Sequence, residues 1–140
     1  MTNKNKSVLL LLTLVFGILF MAGCKKGVSI VGVWNATSER EQMTTVGVTT
    51  YDTTIQITGS NQTVVTLKSN GYYSVLTSSG TNGGIYTYAG NKLTLVDTPS
   101  YSTSVYNVNT LTSNALSIQQ TDTTSASPLS LQIITINFSR

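Results

Sequence analysis

Few side chains in this chain could do covalent or acid–base chemistry. Its 140 residues include one cysteine, Cys24, and no histidine. That excludes Ser-His-Asp and Cys-His nucleophile systems and zinc sites built from His and Cys, so no metal site is assigned. The acidic residues are Glu39, Glu41, Asp52, Asp97 and Asp122. Glu39 and Glu41 flank Arg40, and in an extended segment they share one face. Such a pair has a conceivable enzymatic use, because glycoside hydrolysis needs two carboxylates across a cleft. The simpler meaning is a solvated edge with local charge pairing. No Gly-rich phosphate loop of a known spacing occurs. We therefore expect a non-enzymatic protein without a cofactor.

The seven tyrosines are the other groups that could meet a ligand. Tyr72, Tyr73, Tyr86, Tyr88, Tyr101 and Tyr106 lie on or beside expected strands, and Tyr51 lies in a long early one. Ring and hydroxyl both serve cross-strand packing, so sheet packing is preferred to a ligand wall. No ligand-binding residue is assigned.

Cys24 sits behind the one long apolar run. The chain opens with a polar stretch carrying Lys4 and Lys6, followed by the uncharged run Val8–Phe20 and then Met21-Ala22-Gly23-Cys24. A positive start, a short apolar stretch and small residues before a cut define a secretory signal peptide. The run falls short of the roughly 20 residues that a membrane span requires. A lone thiol has no partner in the chain for a disulfide and is a reactive liability in an oxidising compartment.

Met21-Ala22-Gly23-Cys24 resembles the lipobox of bacterial lipoproteins, with methionine where leucine is commoner. The resemblance implies removal of residues 1–23 and acylation of Cys24, leaving 24–29 as a lipidated tether. Each buried CH2 of such a lipid contributes about 0.8 kcal/mol, and a single chain holds only marginally. Lys25 and Lys26 would lie against anionic headgroups. No acidic residue follows Cys24 to resemble an inner-membrane retention signal, and no acidic run resembles a surface-export signal. The expected location is therefore the outer membrane, facing the periplasm, with surface exposure left open. The expected partner is the membrane itself, through the lipid on Cys24.

Without Lys4 and Lys6, six basic residues face five acidic ones. Nucleic-acid binding needs a clustered basic footprint, which this nearly neutral chain lacks. Residues 30–140 have the length of one small domain. Their composition leans to Thr, Ser, Val, Ile, Tyr and Asn, and Thr, Val, Ile and Tyr favour pleated strands. The best helical candidate, Ser38–Met43, has helix formers but no apolar face.

Strand-like runs alternate with turn signals. The runs are Val31–Ser38, Thr45–Thr58, Thr63–Lys68, Tyr72–Ser78, Ile85–Ala89, Lys92–Asp97, Tyr101–Leu111, Ala115–Thr121 and Leu129–Phe138. Ser69-Asn70-Gly71, Gly80–Gly84, Gly90-Asn91 and Ser113-Asn114 separate several of them, and Asp122–Pro128 reads as a polar loop. Short connections favour pairing between sequence neighbours. We expect an all-β, antiparallel up-and-down meander, closed into a barrel of about eight strands, with a two-sheet β-sandwich as the alternative. Closure would remove exposed edges. The apolar phase slips between Ile133 and Ile134, which suggests a bulge or a change of facing.

Gly32-Val33-Trp34 resembles the G-x-W motif that opens lipocalins. Lys68–Tyr73, Gly84-Ile85-Tyr86 with Gly90–Leu95, and Tyr106–Ile118 resemble successive hairpins of small bacterial lipocalin-like domains. The resemblance implies that Gly32 and Trp34 form the closed barrel base, with a basic residue packed over the indole. Arg140 and Arg40 are the two candidates for it. The implied function is binding of a small apolar or amphipathic ligand. A structural or interaction lipoprotein with a filled core, acting on an envelope protein partner, is the alternative. Asp52-Thr53-Thr54 and Asp122-Thr123-Thr124 resemble a short bacterial O-glycosylation acceptor. A transmembrane barrel fits poorly, because Thr44–Thr54 is too polar for a lipid-facing band.

Overall fold

A computed structural model describes residues 27–98 and 100–140. Cys24, the lipobox and Pro99 lie outside the described residues. Nine strands follow in chain order: β1 Gly32–Thr45, β2 Val48–Gln56, β3 Val64–Leu67, β4 Tyr72–Thr77, β5 Gly80–Ala89, β6 Lys92–Asp97, β7 Thr103–Leu111, β8 Ala115–Ala126 and β9 Leu129–Ser139. A single 3₁₀ turn, Gly59–Asn61, joins β2 to β3.

All pairings are antiparallel. The order is β2-β1-β3-β4-β5-β6-β7-β8-β9, and β1 also pairs with β9. Eight strands thus close an up-and-down barrel, and β2 is added outside it. The sandwich alternative is excluded by the β1–β9 pairing, which joins the two ends of what would otherwise be an open sheet.

Strand lengths shape the open end. β1 has 14 residues, β8 has 12 and β9 has 11, whereas β3 has 4 and β4 and β6 have 6 each. β1 therefore changes neighbours along its length. Gly32–Asn35 pair with β3, and Ser38–Thr45 pair with β2. The switch falls at a bulge between Ala36 and Ser38. There the Thr37 carbonyl accepts from Ile57 N at 2.9 Å, and Ala36 N donates to Thr63 O at 2.9 Å. Beyond it, β2, β1, β9 and β8 form a flange above the barrel wall.

The flange corrects four expectations. The first run, expected to end at Ser38, continues to Thr45, because β2 and β9 pair with it on both sides over Ser38–Thr45. The second run starts at Val48, after a tight turn at Val46-Gly47, where both residues have positive φ. The expected polar loop from Asp122 is strand as far as Ala126. The ladder of β9 passes through Ile133 and Ile134 without a break, so the phase slip there marks apolar residues on both faces. Closure also leaves β2 as an edge, with Val48 and Ile55 exposed.

The Gly80–Gly84 cluster opens β5 and is not a turn; Ser78 and Ser79 turn the chain before it. Gly84 is required by close approach, since a Cβ there would collide with the Val96 carbonyl oxygen.

The core lies at the end where β1 starts and β9 finishes. Trp34, Leu67 and Leu93 are the largest fully buried side chains, and Leu116, Ile118, Val108 and Phe138 pack with them. The indole Nε1 of Trp34 donates to the Ile30 carbonyl at 2.8 Å, so burial leaves no orphan donor. Arg140 lies over the same ring, its Cζ 3.9 Å from the centroid. Arg40 is elsewhere: it pairs with Asp52 on the flange.

Candidate functional site: a graded barrel interior

In a strand, alternate residues face one side, and directly paired residues share a face. The register therefore gives the barrel-lining row of each strand. On β6 the row is Leu93, Leu95, Asp97. On β7 it runs Val108, Tyr106, Ser104, and on β8 Leu116, Ile118, Gln120, Asp122. On β9 it runs Phe138, Ile136, Ile134, Gln132, Ser130. After its bulge, β1 continues the same face with Glu39, Glu41 and Met43, paired to Ile136, Ile134 and Gln132. The rows of β6, β7, β8 and β9 are apolar at the Trp34 end and polar at the open end, and β1 follows them as far as Glu41 before ending in Met43.

Two adjoining spaces lie along this gradient. The inner one, about 130 Å³, is walled by Val65, Leu67, Leu93, Ile118, Ile136 and Phe138, among others. The outer one, about 260 Å³, is bordered by Tyr73, Asn82, Asp97, Ser102 and Ser104. Val75, Leu95 and Tyr106 line both, so the two adjoin along the barrel and make a funnel-like series, an apolar throat and a polar mouth with shared walls.

Tyr73, Gly84 and Asp97 stand opposite one another on β4, β5 and β6. Tyr73 reaches across the glycine, and its hydroxyl donates to Asp97 Oδ1 at 3.2 Å. Ser100 Oγ donates to the other oxygen, Oδ2, at 3.3 Å. The Asp97 carboxylate is thus oriented by one donor on each oxygen. Burial pushes the Tyr73 phenol up to about 12, and its hydrogen bond to Asp97 acts in the same direction. Burial also raises the Tyr86 phenol, whose hydroxyl donates to the Lys68 carbonyl at 2.8 Å.

The other acidic residues are placed as follows. Glu39 and Glu41 do share a face, the one continuous with the barrel lining, and Glu41 accepts from Gln132 Nε2 at 2.6 Å. Arg40 points to the opposite face. Its Nε donates to Asp52 Oδ1 at 2.8 Å, and Gln42 Nε2 donates to Asp52 Oδ2 at 3.0 Å. Charge pairing on β1 is therefore with Asp52 and not with the flanking glutamates. The arginine holds the Asp52 carboxyl below its ordinary value, chiefly through that hydrogen bond. Asp122 accepts from Gln120 Nε2 at 3.1 Å.

Of the seven tyrosines, Tyr73 and Tyr106 line the funnel, and Tyr86 and Tyr88 pack against the core. Tyr51, Tyr72 and Tyr101 are exposed. Trp34 is fully buried with Arg140 over its ring and beside Gly32, and Cys24 lies outside the described residues. Sequence reasoning counted Asp97 among the carboxylates without giving it a role. Its signal was its phase: Leu93-x-Leu95-x-Asp97 puts the acid on the same side as two core leucines. A scan against protein-family models and a search of curated proteins gave no match to this chain.

Proposed function

We propose that this protein is a lipid-anchored, lipocalin-like binding lipoprotein that takes a small apolar or amphipathic ligand into its barrel. The observation that carries this reading is the funnel: an apolar space spanning several strands that adjoins a polar mouth, with Val75, Leu95 and Tyr106 in the walls of both. Ligand sites are concave and largely apolar, with a few placed polar groups. The inner space is close to the roughly 150 Å³ cavity known to accept a benzene-sized molecule, so it suits a ring or a short alkyl group. The mouth would take the polar end. In this reading the protein binds and does not catalyse. Acylated Cys24 tethers it to the outer membrane, facing the periplasm, and the short segment to Ile30 leads into the closed end of the barrel.

The test is to purify the full chain from membranes of its source cell and compare its mass under native and denaturing conditions. A reproducible non-covalent adduct of low molecular weight is the expected result. A bare polypeptide, with no shift when aromatic amphiphiles are added, would overturn the reading.

A second reading has its own support. Val46, Val48, Tyr51 and Ile55 are exposed on and beside β2, the added edge strand. That surface favours contact with an envelope protein through the flange. Loss of a specific crosslinked partner on replacing Val48 and Ile55 with Lys would support it.

A further inference from the structure

We propose that the funnel selects organic cations, namely small amphiphiles whose apolar ring or short chain enters the inner space while a protonated amine rests against Asp97. This rests on the reading that the funnel holds a small ligand, and it names the ligand's class.

Asp97 is the one charged residue in the lining of either space. The four described cations lie elsewhere. Arg140 covers Trp34 at the closed end, and Arg40 is bonded to Asp52 on the flange. Lys68 follows β3 and Lys92 opens β6, both at the closed end and both exposed. The carboxylate at the mouth therefore has no counter-charge among the described residues. Its two oxygens accept from Tyr73 and Ser100, which fixes its direction and leaves acceptor capacity free, since a carboxylate has about four lone-pair sites. An ammonium is the group that completes such a site, and hydrogen bonds between charged groups are among the stronger ones.

Tyr73 and Tyr106 line the same space, and aromatic rings attract cations to their faces. Glu39, Glu41 and Asp122 lie on the same lining face beyond the mouth. Four of the five carboxylates thus face the open end from the inside, while three of the four described cations lie at the closed end. A field of this sign raises the local concentration of cations and repels anions. A carboxylate-headed amphiphile would bring its charge to Asp97 with no cation to receive it.

The test uses the full-length chain and three probes of one shape: phenethylammonium, its neutral counterpart phenethyl alcohol, and 3-phenylpropionate. Each is titrated calorimetrically in the same detergent buffer. The expected result is that the ammonium binds at least about tenfold more tightly than the alcohol, with no heat from the carboxylate. Asp97→Asn should remove the preference, so that the ammonium binds the variant no more tightly than the alcohol does. A further readout needs no variant. Nuclear Overhauser contacts should join the methylene beside the nitrogen to Asp97 Hβ and the Tyr106 ring, and the phenyl protons to the Leu95 and Ile118 methyls. Equal binding of ammonium and alcohol overturns the cation selectivity and leaves the ligand-binding reading standing. So do contacts that place the nitrogen away from Asp97. If none of the three probes binds, both the selectivity and the cavity reading fall.

Discussion

The Arg140 guanidinium lies over Trp34 with its Cζ 3.9 Å from the ring centroid, while its Nη2 donates to the carbonyls of Ser29 at 3.0 Å and Val31 at 2.7 Å. One side chain thereby ties the last residue of the chain to the segment entering β1 and caps the base of the barrel. A cation over a tryptophan contributes about 0.5–2 kcal/mol, and a hydrogen bond to a charged group about 1.5–3 kcal/mol. Arg140→Ala should therefore destabilise the protein by about 2–3 kcal/mol. Arg140→Lys should recover less than half of that, because an ammonium cannot stack and reach two carbonyls together. Urea unfolding followed by the fluorescence of Trp34, the one tryptophan in the chain, measures both. A change below about 0.5 kcal/mol, typical of surface sites, would mean the contact is incidental.

Gly32 should prove coupled to Arg140. A Cβ at position 32 would lie 2.9 Å from Arg140 Nη2, and the residue has φ +150°. Gly32→Ala should destabilise through both a displaced guanidinium and backbone strain. In an Arg140→Ala background the first cause is gone and only the strain remains. The double-mutant cycle should give an interaction of about 0.5–3 kcal/mol between the two sites. Additive losses would show that the glycine serves the backbone alone and that the guanidinium does not require it.

Which elements were legible follows from where both period and punctuation were written. Lys92–Leu95 alternates cleanly after Gly90-Asn91, and β6 begins with those residues before the pattern inverts at Val96 and Asp97. β1 was read too short because Ser38–Met43 builds a flange in which neither face is deep core; with no face to bury, no period is imposed. The bulge at Thr37 also shifts the inward phase from even to odd residues, which no local pattern announces. Gly80–Gly84 reads as a turn by composition, yet Gly84 is there because the Val96 carbonyl approaches too closely for a side chain. The funnel was hidden for a different reason. Whether eight rows of apolar residues fill a barrel or leave a space depends on shear and rotamers. The charge of the mouth was half-visible in the phase of Asp97.

Alkali should find Tyr73. An ordinary tyrosine ionises near pH 10, and this one is pushed up to about 12 by burial, with Asp97 adding to the shift. The folded state holds the phenolic proton more tightly than the unfolded state does. Its contribution to stability is then fully present below about pH 10 and is lost as pH rises through about 12. Burial raises Tyr86 in the same direction, so it adds to the loss in that region. Urea midpoints should hold steady to about pH 10 and then fall. Tyr73→Phe should be less stable at neutral pH, where it lacks the bond to Asp97, and should show a shallower alkaline decline. An unchanged slope in that variant would place the alkaline sensitivity elsewhere.

The proposed anchor on Cys24 is tested by removing its thiol. If its thiol carries the lipid, Cys24→Ser leaves no acceptor, and the chain should leave the membrane fraction and lose labelling by a fatty-acid probe. Two or more acyl chains at about 0.8 kcal/mol per buried CH2 hold essentially all of the protein at the membrane, whereas the polar barrel surface with Lys25 and Lys26 gives only weak, salt-sensitive attraction. The parent should therefore remain in the pellet at high salt. The variant has an uncleaved signal as its one other route to the pellet, and that species is recognised by its larger mass and by the absence of label. A Cys24→Ser chain that is cut, still labelled and still pelleted would move the anchor to another residue and sink the lipoprotein reading.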